Sequence, residues 1–100
     1  MATTTKVLAR TAAATSSTTL YTVPSSTTTV VSNIVVTNTA GTAGTFTLSL
    51  NGVALFTTTT IAANTTAMFD LKQVLATTQT ITGLASATSI NFHISGVEVS

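Results

Sequence analysis

One hundred residues carry three Lys or Arg, two Asp or Glu and one His, for a formal net charge of +1. That length fits one domain with a single core, and three cations are too few for an electrostatic grip on nucleic acid, which uses several in a cluster. With no Cys there is neither a disulfide framework nor a thiolate metal site, and one His with two acids is a poor supply of metal ligands.

The opening MATTTKVLARTAAATSS has no apolar run of about seven or more residues behind its Lys and Arg, so no secretory signal is expected. Val7 to Ala13 reads as a first strand. Residues 1–17 are therefore set apart as an N-terminal strand or arm ahead of a sandwich domain over residues 18–100. On a regular strand Lys6 and Arg10 share a face with Leu8 between them. They serve either as solvated edge charges that discourage stray pairing or as an arm that reaches an acidic neighbour. Leu20 to Val23 is a second strand, stopped by Pro24 and the polar SSTT. Its Tyr21, the single tyrosine, is a candidate interface anchor or an ordinary half-buried sandwich residue. Val30 to Asn38 is a third strand. Val30, Ile34 and Val36 fall on one side of it and Val31 and Val35 on the other, the pattern of a strand covered on both faces.

After the loop NTAGTAG comes the strongest local signal, TFTLSLNGVALF. Phe46, Leu48 and Leu50 alternate with Thr45, Thr47 and Ser49 before Asn51-Gly52, a two-residue hairpin turn. An unbroken register sets Leu50 opposite Val53, Leu48 opposite Leu55 and Phe46 opposite Thr57, which leaves Phe56 on the other face with Ser49, Ala54 and Thr47. Ala67, Phe69 and Leu71 then alternate with Met68 and Asp70. In KQVLATTQ, Leu71, Val74 and Leu75 fit either a strand or one helical turn. Gln79 to Leu84 and Ile90 to Val99 close the chain, the latter with Ile90, Phe92 and Ile94 in alternation. Roughly a quarter of the residues are Thr, whose branched Cβ suits a pleated surface. The expectation is an all-β chain: a single antiparallel sandwich, jelly-roll or immunoglobulin-like, of seven or eight strands. Its T-x-T pairs recur at no fixed spacing, which argues against a β-solenoid.

Little in the chain can do chemistry. A Ser-His-Asp arrangement would have to use both His93 and Asp70, and His93 reads as an ordinary polar-face residue beside Asn91 and Ser95. Gly41 and Gly44 lack the spacing and following helix of a phosphate cradle. No catalytic residue, metal site or cofactor is expected, and no run of about twenty mainly apolar residues suits a spanning helix.

Charged residues average about a quarter of a soluble domain, against 5% here. Low charge leaves little repulsion between copies, and charge is also depleted at the centres of protein interfaces. Much of this surface is therefore expected to be covered in an assembly, with Lys6, Arg10 and Tyr21 as candidate interface residues. The run LYTVPSSTTTVVSNIVVTNTAGTAGTFTLSLNGVALF, followed by TTIAANTTAMFDL and SINFHISGVEV, resembles small β-sandwich structural proteins of tailed bacteriophage virions, from about Leu20 onward. The resemblance implies a non-enzymatic, multi-copy head decoration or cement protein that binds capsid subunits, or a neck, tail or fibre accessory piece. It implies virion localisation after assembly in the host cytoplasm, and capsid or tail proteins and further copies of the chain as partners. Nucleic acid, membrane and small-molecule substrates are not expected. A reading of another class is a module that presents NTAGTAG and LASATS to a host glycan, although sugar sites usually display aromatic platforms and this chain has no Trp and one Tyr.

Overall fold

A computed structural model describes residues 2–100, and among them eight strands form. They are β1 (Thr3–Ala12), β2 (Thr18–Thr22), β3 (Thr28–Asn38), β4 (Gly44–Leu50), β5 (Val53–Ile61), β6 (Thr65–Leu75), β7 (Thr80–Ala85) and β8 (Ile90–Val99). Two four-stranded sheets result: sheet I in the order β1-β8-β3-β6 and sheet II in the order β2-β7-β4-β5. Every pairing is antiparallel. Strand 1 pairs with 8, 2 with 7, 3 with 6 and 4 with 5, which is one long hairpin rolled up so that successive pairs alternate between sheets. That is a jelly roll. An immunoglobulin arrangement would hold the first two strands side by side in one sheet.

The sheets pack through their inner faces. Ile34, Val36, Phe92 and Ile94 of sheet I and Phe46, Leu48 and Ile81 of sheet II are all buried. The Phe46 ring lies 6.2 Å from that of Phe92 across the interface. Ordinary alternation explains most of this, because a strand places every second side chain on one face.

Four departures from the sequence expectations share one cause, the β-bulge, which inserts a residue and reverses the parity beyond it. The β4–β5 turn is as expected, with Asn51 and Gly52 both at positive φ (51° and 78°). Leu50 does oppose Val53, but Leu48 opposes Phe56 and Phe46 opposes Thr59. Slips around Leu55 and Thr58 turn Phe56 inward against the core, and the amide of Thr58, at φ 44°, donates to the Thr47 hydroxyl (2.9 Å). In β3 a bulge at Ser32 puts Val31, not Val30, inward with Ile34 and Val36. Val30 and Val35 are only half-buried, so β3 is covered on one face. A bulge at Leu8 in β1 sets Lys6 opposite Gly96 and Arg10 opposite His93. Gly96 and His93 are three apart on an unbroken β8, so Lys6 and Arg10 face opposite sides.

The N-terminal segment is a strand of the sandwich rather than an arm. β1 pairs with β8 along its length, and Ala2 and Ser100 exchange both backbone hydrogen bonds (2.7 and 2.8 Å). The ambiguous stretch after Leu71 continues β6 to Leu75, which is buried.

Candidate interaction surface

The strands divide the ionisable residues unevenly. Lys6 and Arg10 lie on β1, Asp70 and Lys72 on β6, and His93 and Glu98 on β8, all in sheet I. Tyr21 apart, sheet II carries no titratable side chain. Its outer face is uncharged and rich in hydroxyls: Thr19, Thr82, Ser49 and Ala54 form one row across the four strands, Thr47 lies opposite Leu84, and Thr45 lies opposite Thr60 farther along. Covering such a face strips water from no charge, which is the expensive part of desolvation.

Tyr21 points the other way. Its hydroxyl donates to Glu98 Oε2 and lies 2.8 Å from the Thr29 hydroxyl, which therefore donates to the phenol oxygen. Thr29 is fully buried, and the Glu98 side chain is 15% exposed. Lys6 Nζ reaches the same carboxylate at 3.4 Å, from a side chain 47% exposed. An ion pair this open adds little to stability. The cluster ties β2 of sheet II to β1, β3 and β8 of sheet I.

The Tyr21 bond, opposed by burial and aided by Lys6, holds the Glu98 carboxyl below its ordinary 4.5. Burial and then the Glu98 bond push the Tyr21 phenol above 10.0. A carboxyl lowered in the fold contributes stability above its unfolded value and loses it as pH falls through the folded one. Stability should therefore hold from neutral pH down to about 4.5 and decline below it. Glu98→Gln should flatten that acid limb, as read by denaturant midpoints across the pH range. Equal acid loss in both proteins would remove Glu98 from the account.

Of the three candidate interface residues, Lys6 and Tyr21 are thus engaged within the molecule, while Arg10 stands on the outer face of sheet I across from His93. Glu98 was the missed partner. Its only sequence signal is an acid spaced evenly with the inward Ile94 and Gly96 on a strand otherwise apolar on that side.

The loops proposed for glycan contact do meet at one end of the sandwich, where the Thr39 amide and hydroxyl both donate to the Ser89 carbonyl (3.1 and 3.0 Å). Buried Asn38 braces that end, its amide donating to the Thr42, Ile61 and Ala62 carbonyls. Residues 39–43 and 86–89 bring no aromatic or ionisable side chain there. At the opposite end, a groove of about 300 Å³ runs between the free edges β5 and β6, flanked by the exposed Val53 and Val74. Among the described residues no group of three His, Cys, Asp or Glu could hold a metal ion, and no helix is long and apolar enough to cross a membrane.

These features define a jelly roll with one hydroxylated, uncharged sheet face and one sheet that carries the charges. No family model matches the chain, and no curated protein matches it.

Proposed function

We propose that this chain is a multi-copy structural protein of a tailed-phage virion, a head decoration or cement protein that binds capsid subunits through the outer face of sheet II. The observation that carries the reading is the confinement of charge to sheet I, which leaves a four-stranded, Thr-rich face free of ionised groups. Threonine offers methyl groups for apolar contact, at about 25 cal/mol per Å² removed from water, and hydroxyls that hydrogen-bond without a fixed partner. Repeated over many copies, such contacts hold a shell together without any dominant residue. The jelly-roll strand order supports the reading by analogy only, since viral coat proteins, lectins and cupins share it. A neck, tail or fibre position uses the same surface logic and is the alternative placement within the class.

The test is particle composition followed by reconstitution. Purified heads should contain the chain in many copies, and heads lacking it should break at lower temperature or osmotic stress until purified protein is added back. Thr82→Lys, which plants a charge in the middle of the proposed face, should abolish that rescue. Absence of the chain from particles, or particles equally robust without it, would overturn the role, and recovery only in tail fractions would move it to the alternative position.

A further inference from the structure

β6 is the free edge of sheet I, eleven residues long. Along it Met68, Asp70, Lys72 and Val74 occupy alternate positions and all are exposed, Met68 by 75% and Val74 by 65%. None of its residues has a positive φ. Its register with β3 slips once, where Leu71 and Lys72 lie against Ser32 alone, yet the in-out alternation of β6 continues through the slip, from Ala67 inward and Met68 outward to buried Leu75.

The other three edges are protected against strand addition in recognisable ways. β1 carries only cations, Lys6 and Arg10, so copies pairing there bring like charges together. β2 is five residues long and slips in register after Thr19. β5 is slipped twice, with Thr58 in the left-handed region. β6 has one slip of its own, but it is the longest of the four edges, has no residue in the left-handed region, keeps its in-out alternation throughout, and carries charges of opposite sign.

We propose that two copies of this chain pair β6 to β6, antiparallel, about a two-fold axis at Leu71, which joins two four-stranded sheets into one continuous sheet. In that register Asp70 faces the partner's Lys72 and Met68 faces the partner's Val74, and symmetry supplies each pair twice. Opposite charges and apolar side chains directly across an antiparallel pair are both stabilising, and like charges are not. The register is singled out by the same residues. An axis at Asp70 or at Lys72 sets that charge against its own copy. An axis displaced by half a step sets inward residues against outward ones. The exposed apolar side chains and the unlike charges of this edge are thus satisfied together by one partner, a second copy. The pairing deepens the multi-copy reading above and rests on it; dimerisation in solution tests the edge alone, whereas particle binding tests the role.

Sedimentation of the purified full chain over a dilution series should give a monomer–dimer equilibrium. D70K and K72D should each weaken the dimer by about tenfold or more, since either change makes both symmetric pairs repulsive. The D70K/K72D double variant restores unlike pairs and should restore the dimer. The chain has no Cys, so a second readout is clean: M68C and V74C should each resist oxidative cross-linking alone, and a mixture of the two should form a covalent dimer. A wild-type chain that stays monomeric throughout overturns the pairing. So does a dimer indifferent to the single charge changes, or one in which M68C cross-links to itself.

Discussion

Gly96→Ala is expected to cost about 3 kcal/mol or more, at or beyond the upper end of what overpacking a core imposes. Gly96 lies where β8 is flanked by two bulges, Leu8 on β1 and Ser32 on β3. The bulge on β1 turns Leu8 inward, and its Cδ1 would lie 3.0 Å from a Cβ built on Gly96. On the other side that Cβ would press into the Val30 carbonyl oxygen, well inside van der Waals contact. A side-chain tip can rotate away, but a carbonyl in a sheet ladder cannot move without breaking its own pairing. Glycine is therefore demanded here by the close approach of another backbone. Gly41→Ala is the control, because a Cβ there meets nothing within 4 Å, and its effect should stay within about 0.5 kcal/mol. Against a total of about 5–15 kcal/mol for a domain of this kind, the Gly96 variant should lose much of its unfolding free energy in denaturant titration or fail to accumulate as folded protein. A Gly96→Ala chain as stable as Gly41→Ala would mean that β8 can shift away from β3, contrary to a register fixed by the paired bulges.

The same bulges mark the limit of what the sequence could reveal. Strand existence was legible because Thr-rich alternation, Pro24 and the Asn51-Gly52 turn are local signals, and β8 falls on the residues expected for it, Ile90–Val99. Facing was legible only as far as the first bulge on each strand. A bulge answers the geometry of neighbouring strands, and no residue in SLNGVALF announces that Leu55 will be skipped and Phe56 turned inward. The same blindness puts Lys6 and Arg10 on one face, and groups Val30 rather than Val31 with Ile34 and Val36.

The valines of β3 alone suggest burial on both faces. The half-buried Val30 and Val35 form an apolar outer face without a second covering layer. The Tyr21 cluster lay out of reach for a different reason. Lys6 and Glu98 are 92 positions apart, and only the roll that brings strand 1 beside strand 8 makes them neighbours. The uneven division of charge was hidden likewise. A sparse set of charges is visible in composition, but their shared sheet follows from strand order, because β1, β6 and β8 are not consecutive in the chain and are brought into one sheet by the jelly-roll order.

Phe46→Ala is expected to cost about 4 kcal/mol, which for a chain of this size lowers the melting temperature by roughly 15–20 °C. Phe46 is 1% exposed, and its ring meets three others from three different strands: Phe56 at 5.7 Å, Phe69 at 6.2 Å and Phe92 at 6.2 Å. Two of those belong to sheet I and one to sheet II, so the ring sits on the seam that holds the layers together. Truncation removes the transfer free energy of a benzyl group and leaves a void. The void resists collapse, because every wall of it belongs to a strand fixed by hydrogen bonds on at least one side. Phe56→Ala separates this account from simple loss of an aromatic group. The Phe56 ring packs at a tilt against Phe69, centroids 4.5 Å apart, but lies half-buried on the edge strand β5, where water and the neighbouring Thr side chains can fill the space. Its cost should be no more than about half that of Phe46→Ala, with an unchanged denaturant slope for both variants as the sign that the same two-state transition is being measured. Equal losses would place the mechanical centre of the sandwich at its β5–β6 edge, and a lowered slope for Phe46→Ala alone would mean that the two sheets part before the strands do.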